Sequence, residues 1–187
     1  KWFEKYVKEN SRKRKLVDIK TNIEEYKKMV GFDFLKDQEF FEISFNQVKL
    51  LKKLSKFVIK NGGGLLFIDY GYDNLKSFNT IQAIKNHQKT NFLENKGDSD
   101  ITHLINFGFL KKMLKINKLK ISGYTTQGEY LKKIGIFERA EIISKNQDFI
   151  KKADIFYRIK RLTNENGMGK RFKVLFASNN TDFKVGF

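Results

Sequence analysis

The chain has 187 residues, 40% of them hydrophobic and 14% aromatic, enough to bury a core of ordinary single-domain size. It has no cysteine and only two histidines, His87 and His103, so disulfides and zinc-thiolate sites are excluded and any metal chemistry would rest on carboxylates. A formal net charge of +17 suggests nucleic acid or an anionic membrane as partner, but the cations are overwhelmingly Lys spread through every predicted element, with Arg confined to Arg12, Arg14, Arg139, Arg158, Arg161 and Arg171. Together with the absence of proline, this pattern reads as a lysine-rich surface set by genome composition rather than a base-reading interface, which favours Arg forks. No run approaches the length of a membrane span and no signal-peptide pattern is present, giving an expectation of a soluble, cytoplasmic protein.

In chain order, Trp2 to Val7 and Leu16 to Ile19 read as strands of a hairpin whose tip, Lys8 to Lys15, is charged. Glu24 to Gln38 carries too weak a pattern to separate helix from loop. Phe45, Val48, Leu51, Leu54 and Val58 recur at helical spacing from about Ser44, and Gly62-Gly63-Gly64 ends the helix. The apolar run Leu65-Leu66-Phe67-Ile68 then predicts a buried strand of a parallel sheet covered by helices on both faces. Its break at Asp69, followed by Tyr70, Gly71, Tyr72 and Asp73, places polar residues at a strand's carboxyl end, where open α/β sheets bind ligands; a turn former or cap reads equally well for Asp69.

Downstream, the pattern predicts a helix over Thr80 to His87, a polar loop from Asn91 to Asp100 and a helix from Thr102 that carries Leu110, Met113 and Leu114. Leu119 to Ile121 is a short strand. Thr126-Gln127-Gly128-Glu129 has capping-box spacing, Gly135 fits a helix end, and helices follow over Phe137 to Ser144 and Asp148 to Leu162. The end reads as a hairpin of Phe172 to Ala177 and Phe183 to Phe187. The alternation gives an α/β class. The glycine run precedes a strand and is therefore no P-loop. Asp98 and Asp100 could hold a cation or act as a base, although loop or cap roles are more frequent for such residues; His87 could be a general base or a structural histidine.

Five ordered motifs carry a resemblance. Gly63-Gly64-Leu65-Leu66-Phe67-Ile68-Asp69-Tyr70-Gly71-Tyr72, then Gln82 to His87, Asp100-Ile101-Thr102 with Asn106-Phe107, Gly123-Tyr124-Thr125-Thr126-Gln127 with Tyr130-Leu131, and Met168-Gly169 with Phe172-Lys173-Val174 together resemble the MidA-type class I S-adenosylmethionine (SAM) dependent methyltransferases. That family includes the mitochondrial protein-arginine methyltransferase needed to assemble respiratory complex I. The match covers about residues 40 to 187 and fits the first 40 loosely.

The resemblance implies a partial Rossmann-like sheet with helices on both faces and a closing antiparallel hairpin. Residues 1–40 would be an extended or inserted region and 41–187 the carboxy-terminal half of the catalytic domain. It also implies SAM as cofactor, with the glycine-rich loop and ribose-binding acid upstream of Lys1, so that these residues alone would be inactive. The substrate would be a protein arginine, with a complex I subunit as partner, in the bacterial cytoplasm or the mitochondrial matrix. Asp69 and Asp100 would orient the guanidinium, and Tyr70, Gly71, His87, Thr102, Thr125, Thr126 and Gln127 would line the substrate cleft. Two departures count against catalytic roles: Asn106 stands where Asp is usual, and His103 is one residue out of step. A basic nucleic-acid-binding module and a non-catalytic interaction domain of methyltransferase ancestry are the competing readings.

Overall fold

The computed structural model describes residues 1–187 except 11–12, 75–76, 95–96 and 181–184. In chain order its elements are β1 (Phe3–Asn10), β2 (Lys13–Lys20), α1 (Ile23–Val30), α2 (Phe45–Asn61), β3 (Gly64–Tyr72), β4 (Gln82–Lys85), β5 (Gln88–Thr90), β6 (Asp100–Thr102) and β7 (Ile105–Asn106). They continue with α3 (Phe107–Ile116), β8 (Lys120–Thr126), α4 (Gln127–Lys133), α5 (Ile136–Ser144), α6 (Phe149–Thr163), α7 (Met168–Arg171) and β9 (Phe172–Ser178). The chain divides into two compact units, Lys1–Ile43 with Lys76–Leu104, and Ser44–Leu75 with Ile105–Phe187.

In the first unit, β1 and β2 form the expected hairpin, in register from Phe3 opposite Lys20 to Asn10 opposite Lys13. The undecided stretch becomes α1, capped by the Asn22 side chain and closed by Gly31 in the left-handed region at φ 96°. The Glu42 carboxylate accepts from the Thr80 amide at 2.8 Å and the Thr80 hydroxyl at 2.5 Å, which fastens the residues before α2 to those leading into β4. Thr80 to His87 is not helical, contrary to the apolar spacing. Asn86 and His87 adopt φ of 50° and 63°, and Lys85 faces Gln88, so the pair forms the tight turn of the β4–β5 hairpin. Asn tolerates this left-handed geometry better than most residues, and turn chemistry overrides the helical spacing.

In the second unit, Ser44 caps α2 by accepting from the Gln47 amide, and Gly62 closes it. The sheet order is β7-β3-β9-β8. The parallel partner expected for β3 is confined to β7 at Gly71 and Tyr72; its long partner, β9, runs antiparallel from Gly64–Ser178 to Tyr70–Phe172. The apolar run is covered on one face only among the described residues. Leu65 and Phe67 pack against a core of Val58, Phe107, Leu110, Leu114, Leu119, Leu175 and Ala177, whereas Leu66 and Ile68 remain 49% and 47% exposed.

The helix expected from Thr102 begins instead at Phe107, because Asn106 accepts from the Phe109 amide as its cap and residues 100–102 belong to β6. An Asp in place of Asn106 would cap equally well, so that family departure leaves the helix start intact. The antiparallel edge is formed by β8 on β9. Of the expected strand Phe183 to Phe187, residues 183–184 lie outside the described residues, and 185–187 are turn or irregular. The two helices after Gly135 occur as α5 and α6.

Leu175 is fully buried at the centre of β9, so Leu175→Ala is expected to lower unfolding free energy by about 2–5 kcal/mol. Leu66→Ala should change it by no more than about 0.5 kcal/mol. Urea titration of both variants distinguishes this arrangement from one in which both faces of β3 are packed.

Candidate functional site

The candidate residues fall in both units. Asp69, Tyr70, Gly71, Thr125, Thr126 and Gln127 belong to the second, His87, Asp100 and Thr102 to the first, and each unit is described by itself. His87, Asp100 and Thr102 are exposed, the first in a hairpin turn and the others on β6.

Several candidates in the second unit are occupied by the fold. Thr126 caps α4, its hydroxyl accepting from the Glu129 amide at 3.4 Å. Buried Gln127 donates its side-chain amide to the Leu162 carbonyl at 3.0 Å, tying α4 to the last turn of α6. A Cβ on Gly71 would collide with the Ile105 carbonyl and the Phe107 ring, so this glycine is needed for β3, β7 and α3 to approach one another. Thr125 lies on β8 opposite Val174. Asp69 and Tyr70 remain exposed at the carboxyl half of β3.

Beyond them, the strand end carries a charge cluster that sequence reading missed. Asp73 pairs with Lys111 at 2.6 Å, and the Lys111 ammonium sits 4.1 Å from the centre of the Tyr124 ring. The Tyr124 hydroxyl is buried with no hydrogen-bond partner among the described residues, and burial, reinforced by the nearby Asp73 charge, pushes its pKa up to about 12. Lys173 is shifted the other way, its pKa lowered by burial and by Lys170, with Asp73 opposing. Asp73 belongs to the polar run that the sequence places at this strand end; its pairing with Lys111 is a tertiary contact with no local signal.

The other face of β3 borders an open groove of about 420 Å³ lined by Tyr70, Tyr157, Lys160, Arg161, Asn164, Asn166, Gly167, Met168 and Arg171. The Tyr70 ring packs 3.8 Å, centre to centre, from Phe172. Glycine contacts set the groove's wall. A Cβ on Gly128 would meet the Thr163 carbonyl at 2.7 Å and the Gly169 Cα at 3.3 Å, so α4 and α7 close on the end of α6 only because both residues are glycine. Arginine is scarce in this lysine-rich chain, which makes Arg161 and Arg171 the sequence signal for this groove.

A model of an S-adenosyl-L-methionine-dependent methyltransferase family matches residues 1–125. The chain belongs to that family. The match takes in the first 40 residues, which the ordered motifs fitted loosely, and stops before Gln127 and Met168. The mitochondrial protein arginine methyltransferase NDUFAF7 of Danio rerio is 31% identical over 130 residues, 70% of this chain and 30% of the relative. The Caenorhabditis elegans homologue is 37% identical over 78 residues, 42% of this chain and 18% of its own length. Two solved structures from Burkholderia thailandensis superpose with TM-scores of 0.75 and 0.74 at 20% and 21% identity, covering 98% of this chain and 50% and 49% of theirs. The second holds S-adenosyl-homocysteine; at this identity the likeness concerns the fold.

The chain thus spans about half the length of the solved relatives and less than a third of the two curated ones. S-adenosylmethionine is the family's cofactor. Gly62 and Gly63, at φ 82° and 90°, sit at the amino end of β3, and the carboxyl end is taken up by the Asp73, Lys111 and Tyr124 cluster.

Two outcomes follow. Because the fold favours the neutral Tyr124 phenol, whose pKa lies above the unfolded value near 10, that stabilisation is complete below about pH 10 and lost as pH rises toward 12. Absorbance titration should therefore show a late phenolate near pH 12 that disappears in Tyr124→Phe, while the phenol of Tyr6, also raised through its hydrogen bond to Glu4, is unaffected; a titration unchanged by the substitution would show that Tyr124 is solvated. Gly71→Ala should destabilise the chain by about 1–3 kcal/mol through overpacking, read by thermal unfolding.

Proposed function

We propose that the protein containing these 187 residues methylates an arginine side chain of a protein substrate with S-adenosylmethionine as donor. The observation that carries this reading is the family match over residues 1–125, which includes Asp69 and Asp100; the arginine-methylating names of the relatives support the acceptor. Assembly of respiratory complex I, with one of its subunits as partner, is the process we assign, following the resemblance of the ordered motifs. In a eukaryote the mitochondrial names of the relatives support action in the matrix; in a bacterium the cytoplasm is the corresponding compartment. Among the described residues no helix is long and apolar enough to cross a membrane.

What these residues contribute is acceptor orientation. A carboxylate accepts two parallel N–H bonds from a guanidinium and so fixes its plane, which is the alignment an in-line displacement demands. Asp69 suits this role. It stands exposed at the carboxyl half of β3 and makes no ion pair among the described residues, its Oδ1 accepting only the neighbouring Tyr70 amide at 2.7 Å. Asp100, exposed in the first unit, is assigned the same kind of role on its own account. Thr126, Gln127 and Gly71 support the site through packing and capping.

The test is transfer of a labelled methyl group by the complete gene product to arginine-containing protein. Asp69→Asn and Asp100→Asn, assayed separately, should each lower turnover by about tenfold or more while leaving the melting temperature nearly unchanged, because both side chains are exposed. Unaltered turnover removes that residue from the site, and absence of any transfer by the unmodified protein favours the interaction-domain reading.

A further inference from the structure

We infer that the groove beside Tyr70 is a docking site for an acidic stretch of the protein substrate, separate from the place where the target arginine is held. The inference rests on the reading that the substrate is a protein. Lys160 and Arg161 from the last turn of α6 and Arg171 from the end of α7 converge on one cavity of about 420 Å³, whose lining contains no carboxylate. None of the three forms an ion pair among the described residues, whereas Arg158, one turn earlier on α6, is paired with Asp154 at 2.8 Å. Cations at helix carboxyl ends are stabilised by the helix dipole, which explains why each is tolerated singly. It does not explain why three from two helices face one cavity without a counter-charge.

Composition does not explain it either. The chain's positive charge is overwhelmingly lysine, yet this groove draws two of its six arginines. Guanidinium forks bind carboxylates bidentately and hold them in a fixed orientation. Such a groove repels a substrate arginine. It suits acidic residues flanking one, while Asp69, next to Tyr70 and therefore on the opposite face of β3, is free for the guanidinium. Phe172 already covers one face of Tyr70, which leaves the 68%-exposed Tyr157 as the groove's open ring for stacking. The Asn166 side chain adds an acceptor as well as donors, matching a peptide backbone rather than an acceptor-only phosphate chain.

The experiment is fluorescence anisotropy of the complete gene product with a short labelled peptide rich in Asp and Glu, against a Lys-rich peptide of equal length and an oligothymidylate. Saturable binding of the acidic peptide is expected, weakened about tenfold in the Arg161→Gln, Arg171→Gln double variant through the loss of two exposed charge pairs. The Lys53→Gln, Lys56→Gln variant, which removes equal charge from the exposed face of α2, should bind like the parent. Circular dichroism confirms that each variant is folded, and Tyr157→Ala gives a second, uncharged probe of the same wall. Equal weakening by both double variants, or tighter binding of the oligothymidylate than of the peptide, overturns the inference. Acidic-peptide binding persisting without methyl transfer by the complete protein would sink the functional reading alone; methyl transfer without such binding would sink this inference alone.

Discussion

Strand β9 is hydrogen-bonded on both sides, to β3 over Gly64–Tyr70 and to β8 over Lys120–Thr126, and Val174, Leu175 and Ala177 within it are fully buried. Because it runs antiparallel to both neighbours, its register decides which residues of distant segments meet at the carboxyl end of β3. Phe172 lies opposite Tyr70, and Lys173 lies opposite both Asp69 and Thr126. A slip of one residue would send Lys173 to the other face and separate Tyr70 from its ring partner. The placement of polar groups at this strand end therefore depends on apolar packing two or three residues away.

A second constraint acts where helices close over the sheet. Gly128 and Gly169 let α4 and α7 approach the end of α6 at backbone distance, and Gln127 fills the remaining hydrogen-bonding requirement at the Leu162 carbonyl. Gln127 and Gly169 belong to the motifs that carry the family resemblance and Gly128 does not, yet the work of all three is structural: they hold the helix ends that bear Lys160, Arg161 and Arg171 around one groove. The motif and the chemistry it supports are thus held by different residues.

Much of the framework was legible in the sequence because it rests on local signals. Ser44 with its apolar heptad-like spacing, the Thr126 capping box, Gly62 and Gly135 each specify an element boundary through nearby backbone requirements. The β4–β5 hairpin was misread because an apolar spacing that fits a helix also occurs by chance in a short strand pair. The decisive signal was the Asn86-His87 turn. The start of α3 was placed too early because Asn106 caps it only once β7 has formed, which is a tertiary condition. For the same reason the parallel environment expected of β3 was only partly right: an apolar run records that a strand is buried somewhere, not which neighbour pairs with it.

At the candidate site, sequence order identified the strand end but not the division of labour within it. Alternation along β3 sends Asp69, Gly71 and Asp73 to the face of α2 and α3, and Leu66, Ile68 and Tyr70 to the other. The first face thereby gathers two carboxylates with Lys111, Lys173 and the buried Tyr124 phenol, while the second gathers exposed apolar surface that leads into a groove whose cations form no ion pair among the described residues. Asp69 and the Tyr70 side of the strand therefore lie on opposite faces of β3. A protein substrate with an arginine flanked by acidic residues would meet complementary charge on both faces, which a uniformly basic surface would not provide.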